Sequence, residues 1–323
     1  MSAQPHNTSG DYQPDHIIKL PAIFAWPPKL IAALRYLLWT MMFPWGYFYA
    51  GFAFIAWNWW LPPMQEMAQF KVGWIAQIWL RNAFFLTLIA GGLHWWLHMR
   101  RAQGTQYKYD RKWLAKRNKR FLWGDQVRDN IFWSIVSGIT IVTAYEAITH
   151  WIYANDYALM PLISEHPAYL LAWVYGIFFW GTVHFYFVHR AMHFPRLYKI
   201  AHELHHRNIN MGPWTGISMH PVEHLLYFSG FILFWIVPVH PFVIVLFSIY
   251  MAVSPAPSHS GFNYLVVGRF KIFTGDWFHQ LHHQHFNLNY GNTTSPIDWL
   301  FGSWHDGSEG SLRDQRDKMR ARA

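Results

Sequence analysis

The sequence predicts an all-α, multispanning integral membrane protein. About four transmembrane helices are expected, with a re-entrant or interfacial hairpin and a helical, histidine-rich cap on the cytoplasmic side. Three observations carry this expectation: apolar runs of bilayer length, a strongly basic connector between them, and three dense histidine clusters after the fourth run. The chain is 53% hydrophobic and 20% aromatic but only 13% charged, a balance that suits burial in lipid more than in water.

The first 35 residues form a polar, proline-rich tail without a basic-then-apolar start, so no cleavable signal is expected. The first span is read over Tyr36–Leu61 and the second over Val72–His98, which contains Arg81. The third runs over Ile131–Ile152, with Glu146 inside it, and the fourth over Tyr169–Val188. Each has the ~20 residues that cross a hydrocarbon core. An ionised group at that depth needs a partner or an interfacial position, which makes Arg81 and Glu146 conspicuous.

The formal charge of +9 does not point to nucleic acid, because of where it sits. Arg100, Arg101, Lys108, Arg111, Lys112, Lys116, Arg117, Lys119 and Arg120 fill one connector between apolar runs, the pattern of a cytoplasmic loop facing anionic headgroups. No Lys or Arg lies between Ile131 and His189, which places both termini and the histidine clusters on the cytoplasmic side. A bacterial inner membrane or the endoplasmic reticulum would suit. A fifth apolar region, Leu225–Val253, is broken at Pro238 and Pro241. Two short helices in a re-entrant or interfacial hairpin are expected there, with two tight extra spans as the alternative. No repeat or flexible linker divides the chain, so residues 36–310 read as one domain with its chemistry over about 180–305 and a charged tail at 311–323.

The clusters are His189-x-x-x-His193, His202-x-x-His205-His206 and His279-x-x-His282-His283. Residues three and four apart share a helix face, so each cluster presents imidazoles in one direction. Neutral imidazole suits iron, zinc, copper or nickel. Eight ring ligands exceed what one tetrahedral ion uses, and the arithmetic favours two metal ions. The isolated pair His94 and His98 is read as packing. With no cysteine, thiolate sites, iron–sulfur clusters and disulfides are excluded. Histidine ligands usually pass their second ring proton to a carboxylate or carbonyl, and Glu223, Asp276 and Asp298 are candidates; a cap or turn role is the alternative for each.

The ordered set HRAMH, HELHH, HPVE, HSGF, HQLHH, NYG and DWLFGS resembles the sterol desaturase and fatty acid hydroxylase superfamily over about residues 180–305. The resemblance implies a membrane oxygenase with two iron ions, using O2 to hydroxylate or desaturate a C–H bond of a sterol or fatty-acyl lipid. It implies that His189, His193, His202, His205, His206, His279, His282 and His283 are ligands, and it adds His259 of HSGF as a ninth. His220 is less certain on this likeness, and His184 and His285 are neighbours. Some relatives carry a fused cytochrome b5-like domain. Its pattern does not occur here, so a separate cytochrome b5-, ferredoxin- or reductase-type donor is expected.

Three other readings compete. HELHH satisfies the H-E-x-x-H signature of zinc peptidases, in which Glu203 would be the base, but five clustered histidines would then lack a role. A carboxylate-bridged di-iron site needs paired Glu-x-x-His motifs, and only Glu203-x-x-His206 fits. A metal transporter would place its ligands mid-membrane, whereas these lie at span ends and beyond.

Overall fold

Proline decides where the first apolar run breaks. In the computed structural model, which describes residues 11–161, 165–274, 276–311 and 313, this run is two helices, α1 (Leu30–Met41) and α2 (residues 45–60). Pro44 brings no amide proton and disfavours helical backbone at Phe43, and the chain turns there. The expected single span over 36–61 is therefore replaced by two helices, each shorter than the ~20 residues of a full span; the second still runs from Trp45, which donates to the Phe273 carbonyl, to Trp57, which lies against His240.

The next three runs are helices of bilayer length: α3 (Val72–Met99), α4 (Gln126–Ala154) and α5 (Pro167–Met192). After α5, residues 195–206 form the helical segment α6, which carries HELHH. The hairpin follows as α7 (Pro221–Ile236) and α8 (Pro241–Ser258), with the break at residues 237–240 where Pro238 and Pro241 forecast it. Both helices start on a His-Pro step. Proline occupies the first turn, and the preceding His220 or His240 accepts from the free amide of Val222 or Phe242 through Nδ1, at 3.2 and 3.1 Å.

α8 is the fourth helix long and apolar enough to cross a membrane. The count of four stands, with α8 in place of the first run. It is apolar on every face, and Val243, Ile244, Val245, Leu246 and Phe247 are all buried. α2, α3, α4 and α5 pack around it. With these four helices the chain is an integral membrane protein. Arg81 and Glu146, isolated in sequence, are partners: the guanidinium donates to Glu146 at 2.5 Å, and Asn82 and Ser248 donate to the same carboxylate at 3.0 and 2.6 Å. One network thus ties α3, α4 and α8 together.

Over this bundle sits a cap of short segments. It contains the only strands among the described residues, β1 (Tyr264–Val267) and β2 (Phe270–Phe273), antiparallel with Tyr264 opposite Phe273. The histidine helix α9 (Trp277–His285) follows. The basic connector folds onto the cap, and Lys108 is fully buried. Its Nζ donates to the Asp110 carbonyl at 2.6 Å, and burial lowers its pKa to about 8. Lys108 does not face headgroups as the connector's composition suggested. Residues 11–18 of the polar tail also lie on the cap, where Tyr12 packs with Tyr109, Trp277, Leu281 and Leu288. Of the charged tail at 311–323, only residues 311 and 313 fall among those described.

Candidate metal centre

Helix periodicity sorts the three sequence clusters into two spatial groups. Consecutive residues on a helix point about 100° apart, whereas residues four apart share a face. On α6, His202 and His206 therefore face one way and His205 another. On α9, His279 and His283 face one way and His282 another. His189 ends α5 with His193 one turn later, and His259 caps the end of α8. The first group is His189, His193, His202, His206 and His282; the second is His205, His259, His279 and His283. Within each group the candidate ligand atoms lie within 4.8 Å of one another. All nine histidines singled out in the sequence are gathered. The two groups share a wall, with the rings of His206 and His283 4.8 Å apart.

The outer ring nitrogens fix which way the inner ones face. His189 Nδ1 lies 2.6 Å from the Tyr290 carbonyl, His282 Nδ1 2.6 Å from the Leu288 carbonyl, and His259 Nδ1 3.0 Å from the Pro255 carbonyl. His202 Nδ1 lies 2.7 Å from a Glu223 oxygen. Carbonyls accept only, so the first three rings carry their proton on Nδ1 and turn a bare Nε2 lone pair inward. Burial first, then neighbouring imidazoles, hold His206, His279, His282 and His283 well below the ordinary histidine value, and burial brings His205 to about 4. These rings are neutral at physiological pH.

The Nε2 atoms of His189 and His202, His193 and His202, His206 and His282, His259 and His279, and His279 and His283 are 3.0–3.2 Å apart. Lone pairs that converge so closely repel unless a cation lies among them. Metal–nitrogen bonds of ~2.1 Å at right angles separate ligands by about 3 Å, so the donor set and its spacing fit two metal ions.

The three candidate carboxylates divide. Glu223 reaches a ring directly. Asp276 caps α9, accepting from the His279 amide at 3.3 Å. Asp298 acts through the backbone: it accepts from the amides of Tyr290 and Gly291 at 2.8 and 2.7 Å and from the Ser303 hydroxyl at 2.7 Å. The NYG loop is thereby held where the Tyr290 carbonyl meets His189. That carbonyl and the one from Leu288 have no signature in sequence, being backbone. The HSGF element needs its glycine. Gly261 has φ +80°, and a Cβ there would collide with the Met211 carbonyl.

Histidines outside the two groups have other partners. His220 caps α7, His184 meets the Ser229 hydroxyl at 2.9 Å, and His285 stacks on His305. His98 Nε2 bonds the Ser260 carbonyl at 2.9 Å and its ring stacks on His94. Glu203 is exposed and belongs to neither group.

A cavity of about 680 Å³ reaches both groups, touching His189 and His202 of the first and His205, His259 and His279 of the second. Tyr49, Phe185, Met219, Tyr227 and Met251 give it apolar walls, and it extends outward past Tyr36 to Ile17. Nothing in the sequence alone located this space.

Residues 173–303 match the family model described as fatty acid hydroxylase. The chain is 27% identical over 166 residues to a Delta(7)-sterol 5(6)-desaturase of Candida glabrata, covering 51% of this chain and 42% of that protein. It is 31% identical over 120 residues to the Delta(7)-sterol 5(6)-desaturase of Saccharomyces cerevisiae, covering 37% of this chain and 32% of the yeast protein. The chain thus spans less than half the length of these two relatives. No solved structure matches it. The matched stretch carries all nine gathered histidines and the NYG and DWLFGS elements that brace them, and over it the chain is similar to the sterol desaturases and fatty acid hydroxylases.

Proposed function

We propose that this protein is an O2-dependent di-iron oxidase that hydroxylates or desaturates a C–H bond of a membrane lipid, with two electrons from a separate donor. The observation that carries the reading is the pair of imidazole sets, five and four, facing one apolar cavity. His189, His193, His202, His206 and His282 would hold one iron, and His205, His259, His279 and His283 the other. Activation of O2 is the chemistry that bound iron would supply, since acids, bases and nucleophiles at neutral pH do not open an unactivated C–H bond.

The protein's own part is placement. Carbonyls 288 and 290 and the Glu223 carboxylate fix the orientation of their imidazoles. Phe185, stacked on His189 with centroids 4.7 Å apart, covers the site from the lipid cavity. Apolar walls seat a hydrocarbon and exclude water. Hydroxylation balances as R–H + O2 + two electrons + two protons giving R–OH + H2O; desaturation removes two hydrogens and gives two H2O. A sterol or fatty-acyl lipid suits the cavity, and the sterol 5(6)-desaturase relatives support the former. The active site and both termini are assigned to the cytoplasmic side from the basic connector. Reporter fusions should read as cytoplasmic after Lys116 and non-cytoplasmic after Asp156.

A zinc peptidase built on HELHH would need Glu203 inside the site. Its exposure speaks against that reading. The deciding experiment is expression in a lipid-replete host and comparison of lipid masses with and without the protein. Iron-dependent species heavier by one oxygen or lighter by two hydrogens support the proposal, and an unchanged lipid profile in cells holding iron-loaded protein opposes it.

A further inference from the structure

A second opening reaches the metal centre from the other side. It is a groove of about 520 Å³ lined by Arg120, Lys199, Arg207, Tyr198, Phe286 and His206, among others. It shares no lining residue with the lipid cavity. His206 belongs to the five-histidine group, so the groove ends on a candidate metal ligand while the lipid cavity approaches through other rings. Phe286 lies against His206 with ring centroids 4.8 Å apart, and Tyr198 lies 5.8 Å from both His206 and His193.

The rim is basic. Arg120 and Lys199 are exposed, as are Lys116, Arg117 and Lys119 of the same connector. Arg207 is fixed in place, donating to Asp129 at 2.5 Å and to the Arg120 carbonyl at 2.9 Å. Glu203 is the one exposed carboxylate lining the groove. Ile200 and Ile209, 63% and 50% exposed, add apolar surface beside the charges, the mixed composition of a protein docking site.

Resting on the oxidase reading, we infer that this groove docks the electron donor, and that the donor is a small acidic one-electron carrier protein. Its charge complements the rim, which favours encounter and orientation. Its cofactor edge would face the His206–Phe286 floor. An anionic lipid headgroup would match the rim charge but has no use for a passage that ends on a metal ligand. Each encounter oxidises one carrier by one electron; two encounters deliver the two electrons that join one O2 and two protons in the oxidation of one C–H bond.

The test uses iron-loaded protein in nanodiscs of phosphatidylcholine, titrated with a plant-type [2Fe–2S] ferredoxin as an acidic probe, with binding read by interferometry. Saturable binding that weakens with salt is expected. The double variant Arg120→Glu/Lys199→Glu should weaken it by about tenfold or more, at unchanged iron content. Arg269→Glu, at an exposed position in the β1–β2 turn, should leave it unaltered. Wild-type binding retained by the double variant overturns the inference, as does absence of saturable binding to the wild type. Unchanged ferredoxin binding together with lost affinity for phosphatidylglycerol vesicles also overturns it, and assigns the rim to lipid. Lipid oxidation driven by ascorbate with phenazine methosulfate separates the two readings: if it is absent while ferredoxin binds as expected, the oxidase reading fails and the docking surface stands.

Discussion

His189 donates its Nδ1 proton to the carbonyl of Tyr290 at 2.6 Å, joining the end of a membrane helix to a loop 101 residues further on. The loop does not hold itself. Asp298 takes the amides of Tyr290 and Gly291 and the hydroxyl of Ser303, so one buried carboxylate sets the position of the carbonyl that sets the ring.

Asp298→Ala should therefore act on a metal site it never touches. Two buried amides and a hydroxyl lose their acceptor, a loss of ~1–3 kcal/mol for each group left unsatisfied. Iron affinity is expected to fall by about 10–100-fold through the freed His189. Metal titration and thermal melting of the purified variant check both effects. A variant that melts early yet binds iron as tightly as wild type would contradict the linkage.

Glu223→Gln and Glu203→Gln should behave oppositely, though both are glutamates near HELHH. Glu223 orients His202 at 2.7 Å, and its replacement should lower iron affinity by about 10–100-fold. Glu203 is exposed, and its replacement should leave iron content and lipid oxidation near wild type. A zinc peptidase predicts an inactive Glu203→Gln with metal retained.

Acid should destabilise the iron-free protein through its buried imidazoles. His205 has a folded value of about 4 against an ordinary 6.5, so the unfolded chain binds the extra proton between those values. Stability from this group is complete above about pH 6.5 and is lost as pH falls toward 4, by ~1.4 kcal/mol per pH unit for each such proton. Melting temperatures of iron-free protein between pH 7 and pH 4 should fall. His205→Gln should flatten part of that fall.

Glu146→Ala should leave the Arg81 guanidinium charged and unpaired among α3, α4 and α8, and destabilise the bundle by ~3–5 kcal/mol. Replacing Arg81 and Glu146 together by Met should be milder than Glu146→Ala alone. Thermal melts in detergent decide between these outcomes.

Much of this architecture was legible because periodicity and length are local. The runs that became α3, α4 and α5 carry their lengths openly, Pro238 and Pro241 marked the hairpin, and eight histidines stood out by spacing, His259 being added only by the family resemblance. What stayed hidden was tertiary. Whether Pro44 breaks a span or bends it depends on what packs beside it. Arg81 and Glu146 each looked costly, and only the fold makes them partners. Lys108 read as one more headgroup contact but is buried beneath the cap. The division of HELHH and HQLHH between two groups was within reach, since adjacent residues on a helix cannot face the same ion, but the partner rings on other helices were needed to show it. Asp298 works through backbone amides, which carry no side-chain signature.

The central claim is that five and four imidazoles form two separate iron sites. Iron per chain, measured by elemental analysis with protein quantified by amino-acid analysis, tests it most directly in wild type and in His259→Ala, which takes a ligand from the second group alone. Two irons in wild type and close to one in His259→Ala, with the first group still loaded, is the expected result. A single ion in the wild type, or two irons undiminished in His259→Ala, contradicts it.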